Sequence, residues 1–423
     1  MGGFARSAAL LFLALRVGDF VGVAAGMWFV PRYVSPEDIG AVLPVTSFAT
    51  FLSMPMFALA MAVMKESAWL AAEGARGKIK SLLGGVFAAV AVVLVVVLAA
   101  AGALMPRFLG AMRVSEASVG FLVVAAAFMG CVAPVFTDAL QSLKRFRSLA
   151  VVEMSGAVVR FAVMALVMPI KALAGYFAGQ ATLPAFRMAA SVVALRGDLA
   201  VKAEPYWDRG AVRRLGMAFA AVLAYQAAPM AASLVEQSVL RTGLSSADSA
   251  GYYMVSRFSD FLHYLAFPLL LVMFPYTAGA AKKGEPHRPY VLKCAGVTLA
   301  AAALMAVAYA LFGTRLLSLM PHGTDYGEYA HLMPWLVAVT AATTCQVFYT
   351  NAEVSAGRYG FLWWLIPLHV FYPAALWFAV SRGMATDLRT MLMWFGAASA
   401  ARFAFSALGV LKRQGRVTLQ NAR

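Results

Sequence analysis

From Ser81 to Met105 the chain runs for 25 residues without a charged side chain. At 1.5 Å per residue a helix of that length exceeds the roughly 30 Å hydrocarbon core of a bilayer. In lipid such a segment has to satisfy its own backbone hydrogen bonds, which a helix does internally. Comparable apolar runs lie between charge clusters near 7–30, 39–64, 117–137, 148–169, 173–195, 214–240, 249–274, 291–313, 327–350, 359–381 and 388–411, giving twelve predicted spans. Pro44, Pro55, Pro134, Pro184, Pro229, Pro268, Pro367 and Pro373 fall inside these runs, where proline marks kinks between packed helices. Of the 423 residues 62% are hydrophobic and 13% charged, about half the charged fraction of a soluble domain. Twelve spans of about 20 residues leave only short loops and tails. That excludes a sizeable extramembrane domain, and with it a conventional soluble catalytic or nucleotide-binding domain. The start, Arg6 followed by Ala8–Ala14, has the outline of a signal peptide. Arg16 and Asp19 interrupt that run and apolar sequence resumes to Val30, so a retained first span is expected. Cys131, Cys294 and Cys345 sit in or beside apolar stretches and offer no disulfide framework or metal-binding pair.

The formal net charge of +16 is distributed unevenly. One set of alternate loops and tails holds 22 basic residues, among them Lys78, Lys80, Arg145, Arg209, Arg213 and Arg288. The other set, Arg32, Arg107, Arg113, Lys171, Arg241, Arg315, Arg382 and Arg389, holds eight. By the positive-inside rule both termini are expected in the cytoplasm, in agreement with an even number of spans. The basic balance therefore reads as topology, and no nucleic-acid partner is expected.

The chain contains an internal repeat. A shift of 210 positions brings Val34-Ser-Pro-Glu-Asp38 onto Leu244-Ser-Ser-Ala-Asp248, and Val45, Phe48, Phe51 and Leu52 onto Val255, Phe258, Phe261 and Leu262. A shift of 215 brings Leu104-Met-Pro106 onto Leu319-Met-Pro321. The expected organisation is an N-terminal six-helix lobe over 1–196, a polar linker over 197–213 and a C-terminal six-helix lobe over 214–423. Because six is even, the lobes share an orientation, a parallel repeat of the kind found in secondary transporters. The fold class is thus an all-α integral membrane protein of about 12 transmembrane helices, with a central cavity between lobes.

Pro31-Arg-Tyr-Val-Ser-Pro-Glu-Asp-Ile-Gly40 resembles the Leu-Ser-Pro-Glu-(Asp/Glu)-Tyr-Gly turn of the polysaccharide flippases, with Ile39 in place of the tyrosine. Gly243-Leu-Ser-Ser-Ala-Asp-Ser-Ala-Gly-Tyr-Tyr253 is similar to their Gly-Tyr-Tyr segment at the eighth span, and Tyr326-Gly-Glu-Tyr-Ala330 to the start of their tenth. Pro268 and Pro275 are similar to the end of the eighth. This Wzx-type family belongs to the multidrug/oligosaccharidyl-lipid/polysaccharide exporter superfamily. The resemblance implies a flippase of the bacterial inner membrane that moves undecaprenyl-diphosphate-linked oligosaccharide to the periplasmic leaflet. It also implies that spans one, two, seven and eight line the cavity, and that polysaccharide-assembly membrane proteins are partners alongside the bilayer.

Five basic residues fall within spans, Arg16, Arg160, Arg187, Arg257 and Arg402, with the acids Asp19, Glu153, Glu236 and Asp260. A charge at mid-bilayer costs about 2.5–3.5 kcal/mol on insertion scales, so each needs a partner or a wet cavity. Arg16 and Asp19 are three residues apart in the first span, hence on one face, and Arg257 and Asp260 repeat the arrangement in the eighth. Local salt bridges within a bundle are the structural alternative. Arginine binds a diphosphate bidentately without losing its proton. Arg16 and Arg257 are therefore the first candidates for substrate binding, Arg160 and Arg187 the second, and Asp19 and Asp260 candidates for a gate or for proton or sodium coupling. Arg402 and Glu153, near the cytoplasmic ends of their spans, are expected to snorkel. No cofactor is expected. His322, Asp325, Glu328 and His331 recur every three residues before the tenth span, but a cap with solvated side chains accounts for them better than a metal. His263, one turn beyond Asp260, is placed for proton exchange, but a satisfied packing histidine accounts for it better. A drug or cation exporter of the same superfamily is the nearest rival, and it would leave acids unpaired in its cavity. A major facilitator transporter would carry a basic Gly/Asp loop, absent from Lys65–Lys80. A membrane glycan-modifying enzyme would need a catalytic constellation on a long external loop, which the spacing of the spans does not provide.

Overall fold

The computed structural model describes residues 2–412 except 115, 144, 283–287, 321–325 and 356–357. Twelve long helical segments form among these residues: α1 (Gly2–Tyr33), α2 (Val42–Ala72), α3 (Arg76–Ala111), α4 (Ala117–Ser142), α5 (146–170), α6 (173–195), α7 (Arg209–Gly243), α8 (Ser246–Lys282), α9 (Arg288–Ser318), α10 (Met333–Ser355), α11 (Leu362–Ser381) and α12 (Leu388–Lys412). The segments α5 and α6 meet at Lys171 and Ala172, whose backbone leaves the helical region, with φ of 27° at Ala172. Each of the twelve predicted spans has its helix. Eight helices are long and apolar enough to cross a membrane over described residues, so this is a multi-pass membrane protein. Exposed Val92, Val95 and Val96 on α3 illustrate the apolar outer surface this requires.

Contacts divide the chain into two compact units, Met1–Ser238 and Val239–Arg423. In the first, α4 packs against α2, α3, α5 and α6, and α1 packs against the α5–α6 hairpin. In the second, α10 packs against α8, α9 and α12, so α8–α10 repeat the neighbour relations of α2–α4.

The repeat extends to single atoms. Between α1 and α2, Asp38 N donates to Ser35 Oγ at 3.2 Å and the Ser35 hydroxyl donates to Asp38 Oδ2 at 3.1 Å. Between α7 and α8, Asp248 N donates to Ser245 Oγ at 3.0 Å and the Ser245 hydroxyl to Asp248 Oδ2 at 2.7 Å. Serine at such a cap satisfies an amide the new helix leaves unpaired. The alternation of buried, half-buried and exposed residues is identical from Pro31 to Val42 and from Arg241 to Tyr252. Later in the chain the offset grows to 213, where Phe136-Thr-Asp-Ala139 aligns with Tyr349-Thr-Asn-Ala352. There Arg145 N donates to Leu140 O at 2.9 Å and Arg358 N to Glu353 O at 2.8 Å. By α6 and α12 it is 215, aligning Ala185-Phe-Arg-Met-Ala-Ala-Ser191 with Ala400-Ala-Arg-Phe-Ala-Phe-Ser406. Of the Leu-Met-Pro echo, Met105 and Pro106 lie inside α3, while Pro321 is outside the described residues.

The segment 197–208 is a strap across the first unit. Asp198 receives Arg145 at 2.8 Å and Arg76 at 3.6 Å. Lys80 Nζ donates to Val201 O, Ser81 Oγ to Glu204 O, and Trp207 Nε1 to Ser81 O, at 2.9, 2.5 and 3.0 Å. Tyr206 buries its ring in a core with Leu70, Leu82, Leu140 and Leu195. Arg214 at the start of α7 then reaches Glu66 on α2 at 3.0 Å.

Candidate functional site: charged side chains within the helices

In the first unit the arginines sit at helix contacts. Gly18 and Gly22 on α1 let α5 approach closely, the small-residue packing common in membranes. A Cβ on Gly18 would lie 3.5 Å from that of Ala157, and one on Gly22 would occupy the space of the Arg160 guanidinium. Arg160 Nη2 donates to the Gly18 carbonyl at 3.2 Å. Arg187 on α6 forms an ion pair with Glu153 on α5, and Asp138 on α4 lies within electrostatic reach of that carboxylate. Arg16 is half-buried on α1, and the side chain of Asp19 is outside those described. A cavity of about 150 Å³ opens between α2, α4 and α6, lined by Thr46, Thr50, Ser53 and Gln180 together with apolar neighbours.

The second unit carries charge where the first carries hydroxyls. At the offset of 210, Ser47, Thr50 and Ser53 become Arg257, Asp260 and His263. Arg257 Nη1 holds Asp260 Oδ2 at 3.1 Å while its guanidinium lies 5.2 Å from the centre of the Tyr253 ring. The pair remains accessible, at 22% and 25% side-chain exposure. His263 Nδ1 meets Thr344 Oγ1 at 3.3 Å, repeating across α8 and α10 the contact of Ser53 with Cys131 across α2 and α4. On α12, Arg402 Nη1 lies 3.3 Å from His369 Nε2 on α11.

The structure thus joins Arg257 with Asp260 and Arg187 with Glu153, and sets Arg160 against a backbone carbonyl. Glu153 and Arg402 do not snorkel: each turns inward to a partner on the neighbouring helix, because position along a span fixes depth but not facing. Arg241, read as a loop residue, lies in the last turn of α7 and is 1% exposed. Glu353 is fully buried on α10 at the place Leu140 takes in the first unit. The apolar runs do not mark it or Asp138, which fall just past their ends; the offset of 213 marks Glu353 as a carboxylate in a leucine position. Among the described residues no group of acids, histidines and cysteines is arranged to hold a metal; His322 and Asp325 are outside them, and His331 Nδ1 meets Glu328 O at 2.7 Å.

No protein-family model and no curated protein matches the sequence. Solved structures do match it along nearly its whole length. An inward-facing multidrug resistance MATE family transporter of the MOP superfamily superposes with a TM-score of 0.67 at 15% identity, covering 98% of this chain and 99% of that one. An outward-facing one gives 0.61 at 13%, covering 98% and 96%. A MOP superfamily transporter from Pyrococcus furiosus, whose binding pocket of reverse polarity suggests a different function, gives 0.64 at 13%, covering 96% and 95%. At these identities the likeness establishes the fold: this chain has the helical architecture of MATE transporters.

Proposed function

We propose that the chain is a flippase that carries undecaprenyl-diphosphate-linked oligosaccharide from the cytoplasmic to the periplasmic leaflet of the bacterial inner membrane by alternating access, serving cell-surface polysaccharide synthesis. The observation that carries this reading is the accessible Arg257–Asp260 pair, backed by Tyr253 on α8. A guanidinium held by a carboxylate on its own helix is a charge that an incoming diphosphate can compete for, and it forks onto phosphate oxygens without titrating. Arg16 is the first-choice donor from the first half, with Arg160 and Arg187 secondary. Asp260 takes back Arg257 once the substrate leaves, and it and Asp19 are the groups through which a proton or sodium gradient couples. The same fold in inward-facing and outward-facing forms supports alternating access, and the reverse-polarity transporter shows that its pocket charge varies. Both termini in the cytoplasm follow from the basic loops.

A cation or drug exporter is the second reading, favoured by the multidrug resistance transporters of the same fold. Against it, Asp260 and Glu153 each already hold an arginine. In proteoliposomes loaded with lipid-linked oligosaccharide, Arg257→Gln should slow flipping about tenfold or more, equivalent to at least ~1.4 kcal/mol. Arg257→Lys should recover only part, since the fork is lost. Wild-type flipping by Arg257→Gln would remove Arg257 from the binding site, and no flipping by the wild-type chain would remove the reading.

A further inference from the structure

Arg187 and Arg402 are the same residue of the repeat, 215 positions apart, each followed by a buried serine, Ser191 and Ser406. Each reaches from the last helix of its half to the helix before it, Arg187 across 34 residues to Glu153 and Arg402 across 33 to His369. The first half therefore supplies its arginine with a carboxylate, and the second supplies an imidazole. His369 Nδ1 lies 2.8 Å from the Leu365 carbonyl and so carries the hydrogen, leaving the Nε2 lone pair to accept from Arg402. The remaining contacts of Arg402 are uncharged as well: Nε to Ala398 O at 3.3 Å, Nη2 to Ser399 Oγ at 3.5 Å, and the Tyr372 ring at 5.6 Å. No carboxylate among the described residues pairs with it. A guanidinium within a span is costly unless its charge is met.

We propose that Arg402 and Ser399 bind an oxyanion, a phosphate or phosphodiester group that meets the guanidinium as Glu153 does in the first half, while the neutral His369 gives up its contact with Nη1. The guanidinium fork matches two phosphate oxygens, and the serine hydroxyl adds a third donor. The group comes either from free phosphate or from the headgroup of an anionic lipid. Apolar Phe405 and Leu408 lie exposed on the same helix, a surface for acyl chains. The site uses neither Arg257 nor Asp260 and stands whatever the chain transports.

The test uses the purified full chain in phosphatidylcholine nanodiscs, with inorganic phosphate as one probe and phosphatidylglycerol added to the nanodisc as the other. Binding is read from thermal stabilisation and from retained lipid in native mass spectrometry. Wild type should bind at least one probe: stabilisation by phosphate identifies a free anion, and selective retention of phosphatidylglycerol identifies a lipid headgroup. His369→Glu rebuilds the first-half pair, so it should fold, match or exceed wild-type stability without ligand, and bind both probes at least tenfold more weakly. His369→Gln should keep binding within about threefold, and Arg402→Gln should lose it, each tenfold step being ~1.4 kcal/mol. Binding of neither probe by wild type, undiminished binding by His369→Glu, or His369→Glu less stable than wild type without ligand would each overturn the proposal.

Discussion

Glu153 and Arg187 face each other across the α5–α6 hairpin, one nearly buried and the other a third exposed. Removing the acid alone leaves a cation among apolar helices, which is worse than removing both charges. Glu153→Gln is expected to cost about 2 kcal/mol, below the usual figure for a fully buried pair because Arg187 is a third exposed. Unfolding of Glu153→Gln, Arg187→Gln and the double variant should show the double restoring part of that loss.

Arg160 fills the space over Gly22 with the far end of a flexible side chain. A methyl there displaces the guanidinium without touching backbone. Gly22→Ala should therefore fold with a melting temperature near wild type and yet reproduce the transport phenotype of Arg160→Gln. Gly175 is the contrast: its Cβ would lie 2.6 Å from the backbone of Met168 beside the α5–α6 turn. Gly175→Ala should lose about 1–3 kcal/mol in the same unfolding measurement, as overpacking does.

The two capping turns predict matched effects. Ser35→Ala and Ser245→Ala should each cost about 1 kcal/mol. Asp248 also accepts the Tyr329 hydroxyl at 3.2 Å, so Asp248→Ala should cost about 1 kcal/mol more than Asp38→Ala. Equal losses for the two aspartates would contradict the second contact.

Asp198 gathers Arg76 and Arg145 beneath the strap. Asp198→Asn weakens both links and should raise trypsin cleavage after exposed Lys202 several-fold in native protein, because cleavage follows local opening. An unchanged cleavage rate would mean that Lys80, Ser81 and Trp207 hold the strap by themselves.

The helices were legible because lipid demands long apolar runs, and charge clusters such as Lys78–Lys80 end them; even the α5–α6 break was visible at Lys171. The repeat was legible at Ser35 and Ser245 because a capping turn constrains residue type by position. It was harder to follow further along, since three positions are gained by α10 and two more by α12, so no fixed offset runs through. The pairing of charges was only partly legible. Arg257 and Asp260 share one helix face, which spacing alone predicts, whereas Glu153 with Arg187 and His369 with Arg402 depend on how neighbouring helices are rotated. The burial of Arg241 and Glu353 was not legible, because both lie beyond the apolar runs while the helices continue through them.

The charge of the cargo is tested most directly by one measurement: the rate at which proteoliposomes holding the purified chain flip fluorescent undecaprenyl-diphosphate-linked oligosaccharide, set beside their transport of a cationic dye such as ethidium. Wild type should flip the lipid at a rate that falls about tenfold or more in Arg257→Gln, with no dye transport above empty liposomes. Dye transport that persists in Arg257→Gln, with no flipping by wild type, would contradict it.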